Sequence, residues 1–130
     1  MSKFDLVREY LMDMGMIIVS EDLENELVVV ENEDEGIKNL IVDCEDPILI
    51  VEQLILKLRA GKPEIFKRLL QMNRELVHGA FVLDETGELL LFRDTLQLAN
   101  LDYNELEGSI KSLSLALSEY GSELLGFASA

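Results

Sequence analysis

PEIFKRLLQMNRELVHGAFVLDETGELLLF, residues 63–92, reads as one helix feeding directly into a hairpin. Pro63 suits the first turn of a helix, where its missing N–H leaves no hydrogen bond unmade. Glu64 complements the helix dipole. Ile65, Leu69, Met72 and Leu76 form one apolar stripe, and Phe66, Leu70, Asn73 and Val77 form an adjoining one. The periodicity carries the helix to His78, whose cation would suit its last turn, with Gly79 as the cap. Ala80–Leu83 and Leu89–Phe92 then read as strands around Asp84-Glu-Thr-Gly87, where the glycine can supply positive φ.

Upstream of this stretch the chain reads as a helix and four strands. Ser2 caps the first helix, and Phe4, Val7, Leu11 and Met14 form its apolar stripe up to Gly15. Its charged positions are Lys3, Asp5, Arg8, Glu9 and Asp13, too mixed for a membrane-surface helix. Met16–Val19 and Leu27–Val30 are apolar runs around a polar turn and read as a hairpin. The acidic turn from Glu31 to Gly36 has a weak likeness to a calcium loop, but the closing glutamate would fall at Val42 and the flanks are strands. No metal is expected there. Ile37–Cys44 is a third strand. Ile48 to Leu58 is a fourth, with Leu54, Leu56 and Leu58 sharing one face. Downstream, Arg93 to Leu101 reads as an extended exit. Asp102 caps a final helix with Glu105 as its box partner, and Leu106, Ile110, Leu113, Leu117, Tyr120 and Leu124 face inward up to Gly126.

The fold class is therefore α+β: an antiparallel sheet backed by helices in the order α-β-β-β-β-α-β-β-α. Residues 1–130 form a single domain. At 130 residues the chain can bury one core, and 48% hydrophobic content excludes disorder. A formal net charge of −15 repels phosphate backbones, so nucleic acid is not an expected partner. There is no apolar run long enough to span a bilayer and no secretory signal at the start, so a cytoplasmic protein is expected.

Chemistry leaves few traces. The single cysteine, Cys44, lies between Asp43 and Glu45, which raise a thiol's pKa, and a lone cysteine cannot form an intramolecular disulfide. One histidine is a poor basis for a metal site. No phosphate loop or nucleophile elbow is present. Twenty-six carboxylates will pair by chance, so a close pair is no signal. An enzyme is not expected, and no cofactor is.

The stretch LLQMNRELVHGAFVLDETGELLLFRDTLQLANLDYNELEGSIKSL, starting at Leu69, resembles the small acidic chaperones of bacterial type III secretion, the Tir-chaperone family, and more closely the YbjN-type proteins of the same fold. The matching positions are Leu69, Leu70 and Asn73, then Gly79, Phe81, Leu83 and Asp84, then Gly87, Leu89 and Leu91, and finally Leu101 and Asp102. The resemblance implies a non-enzymatic homodimer. In the secretion chaperones an extended partner segment wraps across apolar surface of sheet and helices. The leading expectation is thus a chaperone-like, protein-binding homodimer whose partner is a protein segment held by apolar grooves and sheet edges. Met16, Phe81, Leu89 and Leu91 are the candidate partner-binding residues. A small-ligand-binding or regulatory stress-response domain of the YbjN type is the alternative, and an acidic hydrolase comes third.

Overall fold

The computed structural model describes residues 1–130. Its elements are α1 (Lys3–Asp13), β1 (Ile17–Asp22), β2 (Leu27–Asn32), β3 (Ile37–Glu45), β4 (Ile48–Lys57), α2 (Pro63–Asn73), β5 (Ala80–Leu83), β6 (Leu89–Gln97) and α3 (Tyr103–Leu125). The six strands form one sheet in the order β1-β2-β3-β4-β6-β5, and every neighbouring pair is antiparallel. All three helices bury their apolar stripes against the same face. Phe4, Val7 and Leu11 of α1 and Leu106, Ile110 and Leu113 of α3 meet Val28, Val30, Leu40, Val42, Leu49, Val51 and Phe92. Ile65, Leu69 and Met72 of α2 meet Phe81, Leu90 and the second half of α3. This is the expected fold class, with the elements in the expected order.

The caps follow the sequence. Ser2 Oγ accepts from the Asp5 N–H at 3.0 Å, and an Asp102 carboxylate oxygen accepts from the Glu105 N–H at 2.8 Å. The acidic turn is a single 3₁₀ turn, Glu33–Glu35, closed by Gly36 at φ 74°.

Four departures each arise from pairing or contacts across the sheet. Strand β3 has a bulge: Asn39 sits at φ 53°, and the pairing with β2 slips between Val30 and Asn32. Ile37 and Leu40, three residues apart, therefore both reach the core. The broken ladder is mended by Gln53, which accepts from the Lys38 N–H at 3.0 Å and donates to the Gly36 carbonyl at 3.3 Å. Strand β4 slips between Leu54 and Leu56. Leu54 and Leu58 thus do not share a face: Leu54 is 55% exposed and Leu58 is buried. The supposed exit after Phe92 is strand, since β6 stays paired with β4 from Leu89 to Gln97.

The fourth departure matters most. Helix α2 ends at Asn73 and does not reach His78. The Asn73 amide turns to the backbone of β5, accepting from the Phe81 N–H at 2.7 Å and donating to the Phe81 carbonyl at 3.1 Å. The residues between bend back to reach that strand. His78 is not in a helical turn. Its N–H donates to Ser112 Oγ at 3.1 Å, and the Ser112 hydroxyl donates to its carbonyl at 2.6 Å. Gly79, at φ 70°, lies on the Phe92 ring, where a Cβ would overlap ring carbon Cζ. Gly79→Ala is therefore expected to cost about 3 kcal/mol, from left-handed strain plus overpacking, read as a drop in the urea midpoint.

Candidate functional site

An antiparallel sheet with helices on one face leaves its other face open. Alternation places Val29, Ile41, Ile50, Leu54 and Leu91 there, between charged neighbours. In register across the strands run Val29, Ile41, Glu52 and Arg93, then Leu27, Asp43, Ile50 and Thr95. Arg93 and Glu52 form an ion pair at 3.5 Å. Leu54, Leu91 and Val82 follow as an apolar row.

Asp43 is the unusual group on this face. It lies between Leu27 and Ile50, and its Oδ1 is buried with no hydrogen-bond partner. Desolvation pushes its carboxyl up to about 6, helped by the neighbouring Glu45 carboxyl and by the charge of Asp22. Cys44, on the core face, is buried, and burial pushes its thiol up to about 11, which removes it as a nucleophile. No group of three His, Cys, Asp or Glu residues is placed to hold a metal ion.

The two sheet edges differ. At β1, the outer strand, Ile17 and Val19 are 62% and 49% exposed, and no strand lies beyond. At β5 the outward N–H and carbonyl of Phe81 are closed by the Asn73 amide. Between α2 and β5 the surface opens into a groove of about 330 Å³ lined by Phe66, Leu69, Leu70, Phe81, Val82, Leu83 and Leu90. All seven are apolar. Leu70 stands 72% exposed at its rim, with Phe66 and Leu83 each at 41%.

The four residues chosen from sequence are scattered. Met16 and Phe81 are core side chains, 8% and 5% exposed, so neither offers a broad surface to a partner. Met16 reaches only a small depression with Met14, Glu35, Glu107 and Ile110, and Phe81 forms the floor of the groove. Leu89 and Leu91 are half-exposed and share the open face of β6. Phe66, Leu70 and Leu83 were missed as surface residues because their helical or alternating spacing equals that of core residues. The available signal was the width of the α2 stripe, which exceeds what one sheet edge can cover.

A family profile, CesT_Tir_1, matches residues 1–130. The chain belongs to this family, that of the type III chaperones. Three solved structures share the fold. YbjN from E. coli has a TM-score of 0.70 at 16% identity, covering 93% of this chain and 92% of that one. The HopA1–SchA chaperone–effector complex contains a chain at 0.62 and 13%, covering 88% and 89%. An uncharacterised protein from Methanothermobacter thermautotrophicus gives 0.69 and 13%, covering 98% and 100%. At these identities the likeness is one of fold. No curated protein sequence matches the chain significantly.

Two outcomes follow for this surface. Asn73→Ala leaves the outward Phe81 groups without their partner and is expected to cost about 2 kcal/mol in urea unfolding. Asp43 has a folded value above its ordinary 3.8. The stability it contributes is complete below about pH 4 and is lost as pH rises through about 6. Asp43→Asn should accordingly raise stability near neutral pH by about 1 kcal/mol, discounted for partial exposure, and the gain should vanish near pH 4 in a pH series of urea midpoints.

Proposed function

We propose that this chain is a non-enzymatic, chaperone-like protein that binds an extended segment of another protein and acts as a cytoplasmic homodimer. The observation that carries this reading is the groove between α2 and β5, whose seven lining residues are all apolar while Leu70 stands 72% exposed. A folded monomer gains nothing from leaving such a side chain in water, and a rimmed apolar groove is a common mark of a protein-binding surface. The free β1 edge offers a second mode, pairing of a partner strand through its backbone. Membership of the type III chaperone family supports the reading, as does likeness to a chain of a chaperone–effector complex. No helix is long and apolar enough to cross a membrane, in keeping with a cytoplasmic place.

The test is a peptide array of extended apolar segments, followed by solution titration of the best binder. Leu70→Glu, at an exposed position, should leave the melting temperature nearly unchanged and weaken that binding at least about tenfold. Sedimentation over a wide concentration range checks the dimer. A chain that stays monomeric at its highest soluble concentration would refute that part. An array with no binder would refute the segment-binding part.

A further inference from the structure

A net charge of −15 invites a basic partner. The charges around the groove point the other way. Six of the eleven Lys and Arg residues lie between Lys57 and Arg74, and Glu64 is the one carboxylate among them. Three of the six flank the exposed apolar pair of α2. Lys62 stands at the N-cap four residues before Phe66, and Lys67 and Arg74 stand three and four residues from Leu70, which makes those two its neighbours on the helix surface. All three are exposed, and none is in an ion pair. Arg68, on the far flank, is instead committed to Glu123 at 2.7 Å and lies over the Tyr120 ring.

The carboxylates of the strand wall, Asp84, Glu85 and Glu88, lie on the hairpin turn beyond the apolar positions Phe81 to Leu83. Asp84 is engaged within the hairpin turn, accepting from the Thr86 hydroxyl at 2.8 Å and the Leu89 N–H at 3.1 Å. Glu85 is at the exposed hairpin tip, and Glu64 lies in the first turn of α2 and does not line the groove. The all-apolar floor is thus bordered on its helix side by uncommitted cations, on a chain that is otherwise acidic.

We propose that the groove takes an apolar segment flanked by carboxylates. This rests on the segment-binding reading above and names the chemistry of the segment. The apolar side chains seat against Phe66, Leu70 and Phe81, and the flanking Asp or Glu residues meet Lys62, Lys67 and Arg74. The complementary charges steer encounter and select among segments of equal hydrophobicity. Because Asn73 closes the outward backbone of Phe81, the segment is held in this groove by its side chains and not by strand pairing there.

Two fluorescein-labelled peptides test this, sharing one central run of alternating Leu and Val and flanked on both sides by either Glu or Lys. Anisotropy titrations of the full chain at low salt should favour the Glu-flanked peptide by about tenfold, and the preference should shrink at physiological salt as the rim charges are screened. The double variant Lys67→Glu, Arg74→Glu should reverse the order. If that variant melts early, Lys67→Gln with Arg74→Gln should abolish the preference instead. If the Lys-flanked peptide binds as tightly or more tightly and still requires Leu70, segment binding stands and the acidic preference falls. If neither peptide binds and Leu70→Glu splits a homodimer in sedimentation, the groove's occupant is a second copy of this chain and the proposal is overturned. Failure of both peptides with no effect of Leu70→Glu on association overturns it as well.

Discussion

The arrangement around the groove depends on one side chain. Asn73 meets both outward backbone groups of Phe81, and this double hydrogen bond fixes where α2 stops and where β5 begins. A helix continued to His78 would have carried Leu76 and Val77 on past the sheet edge. Instead the chain bends, Ser112 of α3 grips the backbone of His78, and Gly79 slides across the face of Phe92. Phe66 and Leu70 are left facing Phe81, Val82 and Leu83 across an open groove. The exposed apolar rim is thus a by-product of how the helix is tied to the strand, and it needs no special loop.

Much of the fold was legible because its punctuation is local. Ser2, Asp102 and the turn around Gly87 act on residues within a few positions, so their effects show in sequence. The outcomes that were not legible are set by contacts between distant residues. Nothing near Asn39 or Ile55 announces a bulge, since each depends on which strand lies alongside. Gln53 looks like an ordinary polar strand position until the break beside Gly36 supplies it with two backbone partners. The periodicity through Val77 is real, yet a hydrogen bond from Asn73 to a strand seven or more residues on decides the helix end. For the surface, the sequence identified apolar positions but could not rank their exposure: Phe81 and Leu70 look alike as letters, and one is 5% exposed while the other is 72%.

Charge is distributed as unevenly as apolar surface. The acidic body surrounds a short cationic segment, and that segment coincides with the helix bordering the groove. Uniform acidity keeps copies of a protein apart. A local reversal of sign beside an apolar groove gives one region where approach of an acidic body is electrostatically favoured. The family assignment fits a fold with a covered face and an open one, and the particular placement of Lys62, Lys67 and Arg74 is a property of this chain.

The two ends of the sheet are not equivalent. One rim is sealed at Phe81 by a side chain, while the other, at β1, has unpaired backbone groups followed by Glu21 and Asp22. Fibrous growth requires every added unit to present two joinable ends. With Phe81 already partnered at the β5 end, two such sheets are hindered from joining head to tail, β1 of one against β5 of the next. The amide that shapes the groove also makes that end of the sheet ill suited to stacking.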